Sequence, residues 1–408
     1  MKEERMMILA MLEEGKITSE EAIKLMDALE EGVIFEEARD EKEDSYKKDS
    51  HKDYKKEKDF RSTFNTLEDI GSDIGNALAS LFDGLRDFSP NFGLKYNYET
   101  IKTTLDMDIS DIENPNLIFK AINDSITIKP TDGDKVLIDV ICQYKSGLLE
   151  KDEPYFDFIK DGDNIIFNPK FSSNISIKLN VLLPKKQYDK VVLNSSNGKM
   201  DIEGLKSNSL DCLTSNASIE LLGSNIEIID LITKNGRIEI KDTDSNTIKS
   251  HTTNSRIFLM NTKANDIEVK TANGKISLNN IQGENILSKT SNGSIDVNDI
   301  DFSKVQLISS NGKIVCSGIN LDKAKEVKLI TSNASIISDI QSLEKDVIFD
   351  LETSMGSINL GLPNLIYATN KQVNLGLKKI VAHSIDYNMD KEHLKFTAST
   401  ANGSITIN

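Results

Sequence analysis

The sequence predicts a mainly β fold: a single-stranded β-solenoid (β-helix) of about 19-residue coils, preceded by a small α-helical N-terminal module. Three observations carry this expectation. First, Asn197, Asn216, Asn235, Asn254, Asn273, Asn292 and Asn311 fall 19 residues apart without a slip, and self-similarity at a short fixed period marks a repeat architecture. Second, each unit holds two runs of period-two alternation. Val191, Leu210, Ile229, Ile248, Ile267, Ile286 and Val305 stand six residues before the Asn, and a hydroxyl, from Ser195 to Ser309, stands two before it. Met200, Ile219, Ile238, Ile257, Ile276, Ile295 and Ile314 stand three after. Such alternation reads as two short strands, each with one buried face. Third, the units keep one length. Antiparallel hairpins closed by Asn-Gly turns also fit the alternation. Hairpins, however, tolerate loops of varied length, whereas a coil must hold its circumference to stack on the next.

The residue after each Asn is small: Gly198, Ala217, Gly236, Ser255, Gly274, Gly293 and Gly312. Asn and Gly tolerate positive φ, so this pair is expected to form the bend. Stacked identical side chains are expected to form hydrogen-bonded ladders along the axis, the seven Asn and the hydroxyls alike. The template recurs with slips at Asn333, at Phe349 to Leu360 with Met355 in place of Asn, at Asn402, and upstream at Asn123.

In chain order, residues 1–34 read as a helical hairpin. Gly15 stops the first helix as a residue just past a helix end does, and Thr18 with Glu21 forms a capping box for the second. Two helices this short bury too little to stand alone. Homo-oligomerisation through them is therefore the preferred expectation, with docking on another helix as the alternative. Residues 35–59 are a mixed-charge linker. Residues 60–90 return to helical spacing as an amphipathic helix. Phe60, Phe64, Leu67, Ile74, Leu78, Phe82 and Leu85 form a candidate membrane or partner face, opposite Glu68, Asp69, Asp73, Asp83 and Asp87. Interfacial membrane helices usually carry Lys and Arg on the polar face. The acidic one here favours packing against protein. Residues 98–190 alternate less regularly and are expected to be an irregular β cap of the solenoid, with 191–408 the regular repeats and Gly361 to Lys395 a second cap.

Composition narrows the function. Asp and Glu number 65 against 49 Lys and Arg, a net charge of −16, which argues against nucleic-acid binding, since phosphate contacts need clustered cations. Three Cys imply no disulfide framework; Cys212 and Cys316 fall on inward columns and read as buried thiols. No catalytic, cofactor-binding or metal site stands out, and an enzyme is not expected. His251 is a lone outward residue. Asp201, Glu220 and Glu239 form an outward stripe that breaks at Phe258 and reads as a solvated face. The first residues, Met1-Lys2-Glu3-Glu4-Arg5, become amphipathic at once, and no apolar run reaches 18 residues. The expected location is cytoplasmic or peripheral at the membrane.

The repeats Thr290-Ser291-Asn292-Gly293-Ser294-Ile295 and Ser309-Ser310-Asn311-Gly312-Lys313-Ile314 resemble those of a bacterial β-solenoid family of unknown function that carries an adhesin label. The lead-in Leu182-Leu183-Pro184 and Val191-Val192-Leu193 fits it too, over roughly residues 98–408. Glu13-Glu14-Gly15-Lys16-Ile17-Thr18-Ser19-Glu20-Glu21-Ala22 resembles the SHOCT-like helical hairpin. The pairing is similar to the LiaX-like daptomycin-sensing surface proteins of Gram-positive bacteria. That resemblance implies a non-enzymatic role in cell-envelope stress. The N-terminal part would contact a membrane surface, an antimicrobial peptide or an envelope regulatory protein, and the solenoid would act as interaction scaffold. It also implies a cell-surface location. The alternatives are a surface adhesin or filament-forming scaffold, and a solenoid carbohydrate-active enzyme.

Overall fold

A computed structural model of the chain describes residues 98–149, 154–340, 345–373 and 376–408. The expected helical hairpin, linker and amphipathic helix lie outside the described residues, among which there is no helix. The described chain is a stack of parallel coils. Leu210 pairs with Ile229, Ile229 with Ile248, Ile248 with Ile267, Ile267 with Ile286, and Ile286 with Val305. Each step is one repeat, and the register holds on the second strand, from Met200 through Ile219, Ile238, Ile257 and Ile276 to Ile295. Parallel pairing one repeat apart excludes the hairpin alternative.

Each coil has three sides where the sequence suggested two. The first side is a strand such as Lys206–Thr214, the second a strand such as Ile219–Leu222. A third, short side sends Leu205, Ser224, Thr243, Thr262, Ile281 and Ile300 inward, all at 4% exposure or less. The left-handed bend sits at the corner between the second and third sides. Gly204, Gly223, Asp242, Asn261, Asn280, Asp299 and Gly318 occupy it with φ between 49° and 68°. This corrects the expectation that the Asn and its small neighbour turn the chain through positive φ. Of the Asn column only Asn123 has positive φ, at 55°. The small residue is required by close approach instead. A Cβ on Gly236 would lie 1.7 Å from the carbonyl oxygen of Ala217, and one on Gly274 would lie 1.6 Å from that of Ser255.

The hydroxyl column also departs from expectation. Its members are buried, but they bond to backbone rather than to one another. Thr233 Oγ1 accepts the Gly236 N–H at 3.1 Å and donates to the Ala217 carbonyl of the preceding coil at 3.1 Å. Thr271 does the same between Gly274 and Ser255, and Thr290 between Gly293 and Gly274. Each hydroxyl thereby satisfies two backbone groups at a buried corner, which is why Ser and Thr fill it.

At both ends the stacking order differs from the chain order. The last coil in sequence, Leu394–Thr400 with Ile405–Ile407, does not lie outermost. Phe396 pairs in parallel with Val327 on one side and with Phe349 on the other. Ile405 likewise pairs with Ile336 and with Ile358. The C-terminal coil is thus clamped between coils 326–339 and 347–360. The other end mirrors this. Leu117 pairs with both Val191 and Ile165, so coil 116–131 lies between coil 188–203 and coil 164–184. Beyond these coils antiparallel strands close the ends. Lys135–Lys145 pairs antiparallel with Ile175–Pro184, and Tyr98–Asp108 with Lys135–Lys145. At the far end Leu377–Ser384 pairs with Val347–Thr353, and Leu365–Val373 with Leu377–Ser384. Such strands occupy the N–H and C=O groups that an open coil edge would present.

Candidate functional site

The coil geometry projects three features outward: an amide corner, a charged second side and a mixed first side. At the corner, the Asn side chains form one continuous chain of hydrogen bonds. Asn216 Nδ2 donates to Asn197 Oδ1, Asn235 to Asn216, Asn254 to Asn235, Asn273 to Asn254, Asn292 to Asn273 and Asn311 to Asn292, at 2.6–2.8 Å. The ladder crosses both breaks in chain order, with Asn402 donating to Asn333, Asn333 to Asn311, and Asn197 to Asn123. Every bond points the same way. On the outermost coil Met355, 76% exposed, stands in the column, and the ladder stops.

On the second side, cations two residues past the Asn interlock with carboxylates four past it. Lys199 reaches Asp201 at 2.6 Å and Glu220 at 2.9 Å. Arg237 reaches Glu220 at 2.6 Å and Glu239 at 3.1 Å. Lys241 and Arg256 close on Glu239 at 3.0 and 2.9 Å. Burial works to raise the Glu239 carboxyl, but hydrogen bonds from Lys241 and Arg256 outweigh it and leave the carboxyl lowered. Glu220 behaves alike between Lys199 and Arg237. Phe258, where the acidic stripe breaks, takes Lys241 Nζ over its ring at 5.5 Å, a cation–π contact that continues the lattice. The cation column escaped sequence reading because Ser218 and Ser294 interrupt it.

The first side carries a second ionic group. His251 Nε2 faces Glu268 Oε1 at 3.5 Å, and Lys270 Nζ pairs with the same oxygen. His251 above all, then Lys270, hold the Glu268 carboxyl down to about 2 from an ordinary 4.5, against the opposing effect of burial. Two coils away, burial pushes the Asp230 carboxyl up. A carboxyl whose folded pKa is depressed stabilises above its unfolded value and loses that contribution as pH falls through the folded one. Glu268→Gln is therefore expected to cost about 1–2 kcal/mol at pH 7. The difference from wild type should shrink between pH 4.5 and 2. Urea midpoints at pH 7 and pH 3 check this, and an unchanging difference would contradict it.

Among the described residues no group of three or more His, Cys, Asp or Glu is placed to hold a metal ion. Cys142, Cys212 and Cys316 are buried free thiols. Burial pushes Cys142 and Cys316 up to about 12 and Cys212 well above its ordinary value, so none is a thiolate nucleophile at neutral pH. The candidate face Phe60, Phe64, Leu67, Ile74, Leu78, Phe82 and Leu85 lies outside the described residues.

Comparison with known proteins finds several partial similarities. Residues 3–32 match a SHOCT-like domain, and residues 260–408 match the Toastrack family DUF4097. "Uncharacterized protein YvlB" of Bacillus subtilis (strain 168) is 28% identical over 230 residues, which is 53% of this chain and 58% of that protein. The chain thus spans somewhat over half the length of this curated relative. A solved structure described as "a putative cell adhesion protein" from Clostridium sporogenes ATCC 15579 is similar over 76% of this chain and 99% of that one, at 12% identity and a TM-score of 0.16.

Proposed function

We propose that this Toastrack-like solenoid, with its SHOCT-like front, is a non-enzymatic interaction scaffold that works in the response to cell-envelope stress. The observation that carries the scaffold reading is the fixed charge pattern on its sides. A general acid or base needs a pKa near the working pH. Here Glu220, Glu239 and Glu268 are each tied to cations and held ionised. A rigid face of paired charges and stacked amides suits recognition, where position and sign are read without a proton changing hands. The SHOCT-like hairpin supplies self-association or contact with a regulatory partner, an antimicrobial peptide or a membrane surface. The envelope role rests on the similarity of this two-part layout to LiaX-like daptomycin-sensing proteins.

The test is genetic. Deleting the gene is expected to shift the minimum inhibitory concentration of cationic lipopeptides at least fourfold, with restoration by the full chain. Restoration by a chain whose second side carries Lys199→Glu and Arg237→Glu should be partial or absent. Unchanged susceptibility across envelope stresses would sink the stress role. Protease accessibility on intact against lysed cells, probed with an antibody to the solenoid, decides whether the scaffold works at the surface.

A further inference from the structure

The inward column of the third side begins at Leu205, and among the described residues no coil supplies a rung beneath it. Coil 116–131 lies under coil 188–203, but their second sides run together only from Ile126 with Met200 to Ile128 with Ile202. There the two backbones part. The upper chain turns at Gly204, with φ 63°, into its third side. The lower chain runs straight on, with Lys129 to Thr131 pairing along Leu182 to Pro184, and then enters the antiparallel strand Lys135–Lys145. Pro130 closes the apex of the fork, its Cγ 3.0 Å from the place a Cβ on Gly204 would take. In the fork a pocket of about 210 Å³ opens. Its walls are apolar: Ile128, Leu183, Tyr188 and Leu205, each 3% exposed or less, with Pro130 and Pro184. The Tyr188 hydroxyl is engaged, donating to the Pro184 carbonyl at 3.0 Å. The rim is basic, with Lys185, Lys186 and Lys206 against the single acid Glu203, in a chain whose net charge is −16. Lys185 pairs with Asp132 at 2.8 Å, and Glu203 faces Lys129 at 3.8 Å. Lys186 Nζ donates to the Ile109 and Ile112 carbonyls. Lys206 is exposed and has no ion pair with a described residue.

We infer that this fork binds an anionic amphiphile, a medium-chain carboxylate whose aliphatic end takes the place of the missing rung and whose carboxylate meets Lys206. Three properties of the site select that class. The first is size. An apolar cavity of about 150 Å³ accepts a guest as large as benzene, so about 210 Å³ takes an aliphatic tail of roughly eight carbons. The second is polarity. The walls offer a guest no free hydrogen-bonding side chain, so a sugar or a peptide amide would give up water there without replacement, whereas an aliphatic tail gains by leaving water. The third is charge. Three lysines against one glutamate favour an anionic head over a neutral or cationic one, and Lys206 is the rim cation free to meet it. An exposed ionic contact contributes modestly to affinity. The tail therefore supplies most of the binding, and Lys206 supplies the choice of head group. The site lies on the third side, away from the amide corner and the charged second side, and the inference does not depend on the envelope reading.

Titration of the full chain, methyl-labelled at Ile and Leu, with sodium octanoate tests it by NMR. Octanoate is expected to bind once per chain with a Kd of about 1 mM or tighter, from the affinity per atom of small ligands. The methyl signals of Ile128, Leu183 and Leu205 should shift saturably, while those of Ile267 and Ile314, remote in the stack, stay in place. Acetate, which has the head group without the tail, should shift none of them. Octanol should bind more weakly than octanoate. Lys206→Glu, at an exposed position, should weaken octanoate at least tenfold and leave octanol within twofold. Absence of a saturable shift in the three pocket methyls, or shifts spread over the whole solenoid, would overturn the site. Octanol binding as tightly as octanoate, or undiminished octanoate binding by the folded Lys206→Glu chain, would overturn its choice of an anion.

Discussion

Ending the chain at His393 should destroy more than the last coil. The 15 residues removed form an inner rung, and the coils on either side of it have no other described strand to pair with in its place. Leu394, Phe396, Ile405 and Ile407 are each 1% exposed or less, and burial of such side chains contributes about 2 kcal/mol apiece. The loss, about 8 kcal/mol before the amide and backbone bonds are counted, is comparable to the whole stability of many domains. In a repeat stack the damage spreads through nearest neighbours only. Residues 345–393 are therefore expected to lose protease resistance and slow hydrogen exchange, while coils 188–301 keep both. Equal protection of 345–393 in the truncated and full chains would show that the outer coil does not need the inserted one.

The second large effect concerns the small-residue column. In stacking order it reads Gly198, Ala217, Gly236, Ser255, Gly274, Gly293, Gly312, Ala334, Gly403, Gly356. From Gly198 onward a side chain occurs only where both neighbours are Gly; Asp124 stands below Gly198 at the end of the column, its carbonyl oxygen 1.5 Å from the place a Cβ on Gly198 would take. The reason is the carbonyl oxygen of the preceding coil, which lies 1.6–1.8 Å from the place a Cβ would take on Gly236, Gly274, Gly293, Gly312, Gly403 or Gly356. One coil can shift to admit a methyl if the coils around it give way, but two in succession cannot. Gly236→Ala, between Ala217 and Ser255, is expected to cost about 3 kcal/mol or more. Gly293→Ala, between Gly274 and Gly312, should cost about 1 kcal/mol. Equilibrium denaturation of the two variants decides it, and equal losses would mean that local backbone adjustment, not the neighbour, sets the tolerance.

The sequence made the repeat visible because its constraints are local and identical from coil to coil. The Asn column, the inward Ile and Leu columns and the small residue all recur as residue types. Other features did not recur as types. The left-handed corner takes Gly204, Asp242, Asn261 or Asp299 interchangeably, since each tolerates positive φ, so no single letter marks the column. The third side mixes Leu205, Ser224, Thr243 and Ile281 and shows no apolar period. The order of the end coils is hidden for a deeper reason. Phe396 and Phe349 satisfy one template equally well, and nothing local states which of them neighbours Val327. On the charged second side the acids at Asp201, Glu220 and Glu239 were legible as a stripe. Their partners were not, because Ser218 and Ser294 interrupt the cation column and Lys199 and Arg237 each bridge to the neighbouring coil as well as along their own strand.

The clamped end coils also decide how the molecule answers to force. A solenoid wound in simple order unpeels from its ends, one rung at a time, under a small and steady load. Here a pull on Asn408 must draw strand Leu394–Thr400 lengthwise from between two parallel neighbours. All the bonds along both flanks resist that sliding together, so they must break at once rather than in turn. Strand Asn116–Lys120 is held in the same way at the opposite end. Toward a pull on its C-terminal strand the stack therefore gives way abruptly at a high threshold instead of lengthening gradually.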